Sequence, residues 1–413
     1  MNQTIAGVFR RWSSMSLVLR IFIGLVIGAI LGLTLPEAKG ISILGTVFVG
    51  ALKAIAPVLV AVLVASALSK AHSSLGPRFR TVVTLYLLTT ALAAVVAVMA
   101  SMLFPVTIKL QGVAENAAPG GLLEVFENMA LNIVSNPLHS VSTANYIGIL
   151  FWAIVTGLAL KKCASAKTID MVADFAEVVS QVVRWVIQFA PFGILGLVYS
   201  SVAESGLGIF TTYGRLLVQL VGCMLFVSLV INPIVIAFFI RRNPYPLVFR
   251  CLKESGINAF FTRSSAANIP INMQLCKDMG LDREFYSVSI PLGSTINMDG
   301  AAITITVMTL AVCNTLGISV SIPTALFLSL ISTLAACGAS GVAGGSLLLI
   351  PMACSLFGIT NDIAMQAVAV GFIIGVVQDS VETALNSSGD VMFTAAAEMH
   401  DKMKKSDKSE YSE

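Results

Sequence analysis

Apolar runs of about twenty residues follow one another almost from end to end, and this narrows the possible folds more than any other feature. Backbone N–H and C=O groups cannot stay unpaired in hydrocarbon, so such runs are predicted to cross a membrane as helices. The composition agrees. Of the residues, 56% are hydrophobic and 11% charged, whereas a water-soluble domain carries about 25% charged residues. Apolar content is spread over the whole length, so a single membrane domain over residues 1–413 is predicted. The charged end, residues 401–413, is expected to be a disordered cytoplasmic tail.

Several function classes fall away. Net charge is +3 and the basic residues are scattered, so no nucleic-acid partner is indicated. The seven cysteines are odd in number and show no C-x-x-C spacing, which reads as free thiols packed between helices. His72, His139 and His400 lie far apart, and no metalloenzyme or bound cofactor is expected. Arg10, Arg11 and Arg20 precede an apolar run over 21–35 that could pass for a signal peptide, but no convincing cleavage site follows. It is read as a first span with its N-terminus in the cytoplasm.

The expected architecture is all-α and polytopic, with eight transmembrane helices and two re-entrant helical hairpins arranged as inverted repeats. The spans are predicted near 19–36, 42–69, 80–104, 146–160, 171–203, 214–240, 284–312 and 362–398. Stretches 244–276 and 320–358 behave differently. The first is interrupted by Thr262-Arg263-Ser264-Ser265-Ala266-Ala267-Asn268-Ile269-Pro270, the second by Gly338-Ala339-Ser340-Gly341-Val342-Ala343-Gly344-Gly345-Ser346. Each reads as two short helices joined by a polar or glycine-rich tip, which must be buried in protein or line a wet cavity. A broken segment followed by a long polar-containing span, occurring twice, is the pattern of transporters built from repeats. The outer segment 105–145 is expected to hold one short helix near 121–134. With this folding, 18 of the 25 Lys and Arg fall on the side of the N-terminus, and Lys39 and Lys109 on the other.

The last span contains Gln378-Asp379-Ser380-Val381-Glu382-Thr383-Ala384-Leu385-Asn386-Ser387-Ser388-Gly389-Asp390. At about 100° per residue, Asp379, Thr383, Asn386 and Asp390 share a stripe roughly 60° wide and about 16 Å long, with Glu382 at its edge. A carboxylate at the bilayer centre costs about 2.5–3.5 kcal/mol or more, so such a stripe calls for a function. The seventh span contains Gly293-Ser294-Thr295-Ile296-Asn297-Met298-Asp299-Gly300. An intact helix would point Asn297 and Asp299 nearly apart, and unwinding between the glycines would bring both to one cavity. Carboxylate, amide, hydroxyl and carbonyl oxygens suit a hard cation. Tyr86, Thr89 and Thr90 share a face of the third span, although such hydroxyls commonly bond their own helix.

The run Asn297-Met298-Asp299-Gly300, the two tips, the spacing from Asp379 to Asp390, and the segment from Asn136-Pro137 to Leu160 resemble, in order, the glutamate transporter family of dicarboxylate/amino acid:cation symporters. The resemblance covers essentially the whole chain and is nearest to bacterial members that carry serine and threonine with sodium. It implies a homotrimer in the bacterial inner membrane with both termini cytoplasmic. Each protomer would have a scaffold of helices 1, 2, 4 and 5 and a moving transport part built from helices 3 and 6 with 244–313 and 320–398. It also implies elevator-type movement, gated by the second hairpin. One sodium is implied among Gly293, Asn297, Asn386 and Asp390, and a second with Tyr86, Thr89, Thr90, Asn297 and Asp299. A third would lie where Thr295 meets carbonyls of the second tip. Substrate is implied at Ser264, Ser265, Gly341, Val342 and Gly344, with Asp379, Thr383 and Asn386. Asp379 is expected to receive the α-amino group.

Glu382 departs from the family pattern. Members that carry acidic substrates have an arginine there, and a glutamate would repel a diacid. L-serine and L-threonine are therefore the expected substrates, with Na+ and membrane lipid as the other partners. Arg263 is expected to pair with Glu382. Ala343 also departs, standing where relatives often have proline. A sodium- or proton-coupled dicarboxylate carrier remains an alternative because of Arg263. An uncoupled channel or membrane sensor is the alternative of another class. An enzyme is disfavoured, since no nucleophile–base set accompanies the acids.

Overall fold

The computed structural model describes residues 15–70, 77–110, 135–339 and 344–410, and among these the regular elements are all helical. The short helix expected near 121–134 and the tip residues Gly341 and Val342 lie outside the described residues.

Helix α1 (Leu17–Thr34) starts at Ser16, whose hydroxyl accepts from the Leu19 N–H. Helices α2 (Ser42–Lys70), α3 (Pro77–Leu103), the short α4 (Pro137–Ser142) and α5 (Tyr146–Cys163) follow. The single span expected over 171–203 is instead two helices, α6 (Ala166–Gln188) and α7 (Ala190–Ser205), bent by 54° at Phe189. Pro191 explains the break, because it brings no N–H and its ring excludes a continuous preceding turn. Helix α1 lies backbone-on-backbone along α7. A Cβ at Gly24 would stand 2.1 Å from the Pro191 carbonyl oxygen, and one at Gly28 2.4 Å from that of Leu195. Glycine at every fourth position is what such close packing requires in lipid.

Helix α8 (Gly208–Phe226) passes through a wider π-type stretch (Val227–Ile231) into α9 (Asn232–Ile240). The extra residue in that stretch accommodates Pro233 and turns Asn232 inward. Next come α10 (Tyr245–Cys251), a second π-type stretch (Leu252–Gly256) and α11 (Ile257–Thr262). Arg263 then takes a left-handed conformation with φ +51°, and α12 (Ser265–Asp278) leaves from it with Ser264 as cap. Helix α13 (Arg283–Ile296) opens at Asn297 and Met298, and α14 (Asp299–Thr315) continues beyond the break. Helix α15 (Ile322–Ala336) leads to the second tip, after which a 3-10 turn (Ser346–Leu349) enters α16 (Ile350–Ser355). The last helix, α17, runs unbroken from Asn361 to Glu410.

That last boundary is a correction. Residues 401–410, expected as disordered tail, are helical, and 411–413 lie outside the described residues. Glu398 holds Lys402 one turn on at 2.6 Å, and Arg78 reaches Asp401 at 3.5 Å, so the helix end has partners that composition does not reveal.

Six helical stretches among the described residues are long and apolar enough to cross a membrane, or seven when α6 and α7 count as one bent span. They are not alike. In the stretch formed by α13 and α14, 94% of the apolar window is buried inside the protein, against 39% for that of α2. Every residue of α14 from Asp299 to Cys313 is buried. Helices α1, α2, α5, α6 and α7 pack on one another, while α3, α8 and α11–α16 gather around α14 and α17. Most of the buried polar and charged residues lie at this second centre.

Candidate functional site

The site grows from the break between α13 and α14. Asn297 ends α13 with its backbone out of helical geometry, so its side chain turns to α17. Its amide Nδ2–H2 donates to the Asn386 carbonyl oxygen at 2.9 Å and to Asp390 Oδ1 at 3.0 Å. Gly293 makes room for that carboxylate, since a Cβ there would stand 2.7 Å from Asp390 Oδ1. Asn386 Oδ1 accepts from the Gly300 N–H at 2.8 Å, which ties α17 to the first turn of α14. Asn297 Oδ1 and Asp390 Oδ2 are buried without a hydrogen-bond partner among the described residues. Buried acceptors left unpaired are costly, and two on adjacent groups make a ready donor set for a cation.

A second cluster lies on the α3 side. The Thr90 hydroxyl donates to Asp299 Oδ1 at 3.1 Å and accepts from the Met298 N–H at 3.3 Å. Asn232 Nδ2 donates to Asp299 Oδ2 at 3.0 Å. Thr89 bonds the Leu85 carbonyl of its own helix at 2.9 Å. The Tyr86 hydroxyl sits between the carbonyls of Ser289 (3.2 Å) and Asp390 (3.3 Å) and the Thr394 hydroxyl (3.0 Å). Tyr86 thereby joins the two clusters. Thr295 stands apart, exposed, with its hydroxyl on the Leu292 carbonyl at 2.7 Å.

The third cluster joins both tips to α17. Arg263 Nε donates to Asp379 Oδ2 at 2.6 Å, and the Gly344 N–H donates to Asp379 Oδ1 at 3.1 Å. The expected partner of Arg263 was Glu382, and here the structure differs. Glu382 Oε2 instead accepts from Thr304 (2.7 Å), Ser346 (2.9 Å) and Gln378 (2.5 Å). The reason is one of helical phase, because Asp379 and Glu382 are three residues apart on α17 and only Asp379 meets the Arg263 turn. Thr383 donates back to the Asp379 carbonyl at 2.7 Å, Ser265 is buried at the first tip, and Ser264 caps α12.

Asp299, Glu382 and Asp390 are buried, and no basic side chain pairs with any of them among the described residues. Nor do three His, Cys, Asp or Glu side chains converge there. Carbonyl, amide and hydroxyl oxygens around single carboxylates suit a singly charged hard cation better than a transition metal. Sequence reasoning missed Asn232, Thr304 and the roles of Gln378 and Ser346. The Asn-Pro pair at 232–233, inside an otherwise apolar run, was the available signal for the first.

The geometry defines a multi-pass helical membrane protein with a buried, oxygen-lined site where a broken helix meets two tips. The sequence profile of the sodium:dicarboxylate symporter family matches residues 17–399, and the chain belongs to that family. It is 60% identical over 400 residues to a serine/threonine transporter, SstT, of Bifidobacterium adolescentis, covering 97% of this chain and 93% of that protein. It is 58% identical over 389 residues to the like-named protein of Streptococcus thermophilus, covering 94% and 96%. For that of Streptococcus agalactiae the figures are 56% over 391 residues, covering 94% and 97%.

Proposed function

We propose that this chain carries serine or threonine into a bacterial cell together with sodium, as a symporter that makes and breaks no covalent bond. One observation carries the reading: Asn297 and Asp390, packed beside Gly293, hold buried oxygens that have no hydrogen-bond or basic partner among the described residues. A permeating cation would supply that missing charge, and the relatives' names supply the solute.

In this reading one sodium binds among Gly293, Asn297, Asn386 and Asp390. A second binds at Tyr86, Thr89, Thr90, Asn297 and Asp299, with Asn232 holding the Asp299 carboxylate in place. A third needs Thr295 and carbonyls of the second tip. The solute's ammonium takes the place of Arg263 at Asp379, so that one acid serves an internal cation and the substrate in turn. Ser264, Ser265, Gly341, Val342 and Gly344 would surround the carboxylate and α-carbon, with Thr383 and Asn386 beside them. Glu382, with no basic partner among the described residues, repels a second carboxylate and favours a small hydroxyl side chain.

The finer architecture belongs to the same proposal. Eight spans and two re-entrant hairpins would place α1, α2, α5, α6 and α7 in a scaffold and the rest in a moving part. Three such chains would assemble in the plasma membrane, with cytoplasmic termini. The test is labelled L-serine uptake into proteoliposomes under an inward sodium gradient, with potassium-only and proton-gradient controls. Sodium-dependent accumulation blocked by threonine and not by aspartate or succinate is expected. Transport of the diacids without serine would overturn the substrate, and equilibration without accumulation would overturn coupling.

A further inference from the structure

Away from the polar centre, α3 and α8 leave between them a groove of about 1110 Å³ that opens sideways. One wall is the α3 face bearing Val96, Met99, Ala100 and Leu103, which recur at helical spacing. The other is the α8 face running from Arg215 through Val218 and Gly222 to Phe226, at positions i, i+3, i+7 and i+11. Val218 is 72% exposed and Leu103 73% exposed, so the groove faces the surroundings rather than the core. Gly214 and Gly222 give it depth, since a Cβ on either would meet nothing within 4 Å.

Arg215 is the one charged residue in this lining. It is exposed, and no acid pairs with it among the described residues. Its depth can be worked out. Helices α8 and α9 together span 33 residues, or about 50 Å, which overreaches a hydrocarbon layer of about 30 Å by roughly 10 Å at each end. Arg215 lies seven residues in from Gly208, about 10 Å, and so at the hydrocarbon boundary. Phe226 lies about 16 Å farther along, near the midplane. The groove therefore runs the depth of one leaflet, with a guanidinium at its headgroup end and apolar walls below.

We propose that this groove binds one anionic glycerophospholipid from the leaflet away from Arg241 and Arg242, its phosphate on Arg215 and an acyl chain lying toward Phe226. A guanidinium matches a phosphate in a two-pronged way that a lysine would not. The net-anionic class is selected because a zwitterionic headgroup brings its own cation beside Arg215, and no acid in the lining receives it. The second, apolar half of the recognition is the channel that Gly222 leaves open. The lining contains no residue of the hairpins or of α17 and none of the residues assigned to sodium or substrate, so its test is separate from that of transport.

The test is native mass spectrometry of the full chain in detergent with phosphatidylglycerol or phosphatidylcholine, on wild type, Arg215→Gln and Gly222→Leu. The first substitution removes the charge and the second fills the channel. One retained phosphatidylglycerol is expected on wild type, with at least tenfold weaker retention in both variants and no matching retention of phosphatidylcholine. Equal retention of the two lipids by wild type, or unchanged phosphatidylglycerol binding in both variants, overturns the proposal. A photo-crosslinking residue at Val218, in the otherwise unaltered chain within anionic membranes, decides the matter even if a variant fails to fold. A phospholipid adduct is expected. An adduct to another part of this chain or to a second copy overturns the lipid.

Discussion

The two helix–tip–helix regions are built from similar lengths of chain, yet they are fastened to α17 by different chemistry. The first is laced by a buried ladder of neutral polar groups. Asn268 Nδ2 donates to Ser255 Oγ (3.0 Å), Asn272 Oδ1 (3.1 Å) and Ser387 Oγ (2.8 Å). Asn272 Nδ2 donates to the Ser387 carbonyl at 3.0 Å, and the Ser255 hydroxyl donates to Asn272 Oδ1 at 2.5 Å. In the second region Leu347 to Cys354 are buried and apolar, and among the described residues its hydrogen bonds to α17 are Ser346 on Glu382 and Gly344 on Asp379. Directional bonds fix one position. Apolar packing tolerates sliding and lifting at lower cost, because it has no preferred register. Under the proposed function, the second region is the one whose opening this difference would favour.

The largest expected effect comes from Asp379, where both tips meet. Asp379→Asn removes the ionic partner of Arg263 and weakens the acceptor for Gly344. Losing one member of a buried, hydrogen-bonded charge pair costs about 2–5 kcal/mol, so sodium-driven serine uptake should fall by two orders of magnitude or more. Near-wild-type uptake would show that the tips do not depend on this acid. Next comes Asn272→Ala, which orphans Ser255 and Ser387 partners and should cost about 1–3 kcal/mol of stability. Its thermal midpoint in detergent should drop, and sodium should not restore it.

Ser346→Ala should contrast with it. One of three hydrogen bonds to Glu382 Oε2 is lost while those from Thr304 and Gln378 remain, so the cost should stay below about 1 kcal/mol and appear as a weaker KM for serine with a smaller fall in thermal midpoint than Asn272→Ala. Equal midpoint losses in the two variants would break the comparison. Hydrogen exchange sharpens it further: sodium with serine should slow exchange more over residues 344–355 than over 257–278, and the reverse pattern would reassign the moving region.

The smallest effect lies outside both regions. Arg78 donates to Asp282 Oδ2 at 2.9 Å and lies 5.4 Å over the Phe285 ring, linking α3 to the start of α13. That hydrogen bond holds the Asp282 carboxyl below its ordinary value. A depressed folded-state value stabilises the fold above the unfolded value, near 3.9, and the contribution is lost as pH falls through the folded one. Arg78→Gln should therefore lower the thermal midpoint slightly at neutral pH, with the difference from wild type vanishing in acid. A difference that persists unchanged in acid would assign the effect to the Phe285 contact.

Much of the site was legible because lipid makes polar residues conspicuous. Asp379, Glu382, Asn386 and Asp390 stand out in an apolar run, their spacing puts them on one side of a helix, and glycines flank the Asn297–Asp299 break. The motif order was legible for the same reason. The bend at Phe189 was missed since hydropathy is insensitive to direction, and the helical continuation past residue 400 was missed because one of its partners, Arg78, lies more than three hundred residues away in sequence. Sequence by itself determined that this chain must be a bundle of membrane helices, that it is interrupted at two tips and at Asn297–Asp299, and which acids are too costly to be decoration. Only the tertiary structure decided which group answers each acid: that Arg263 meets Asp379 rather than Glu382, and that Asn232 and Thr90 share Asp299. Helical periodicity sets the face a side chain occupies, while the partner across a gap of a few ångströms depends on how whole helices rotate and slide against one another.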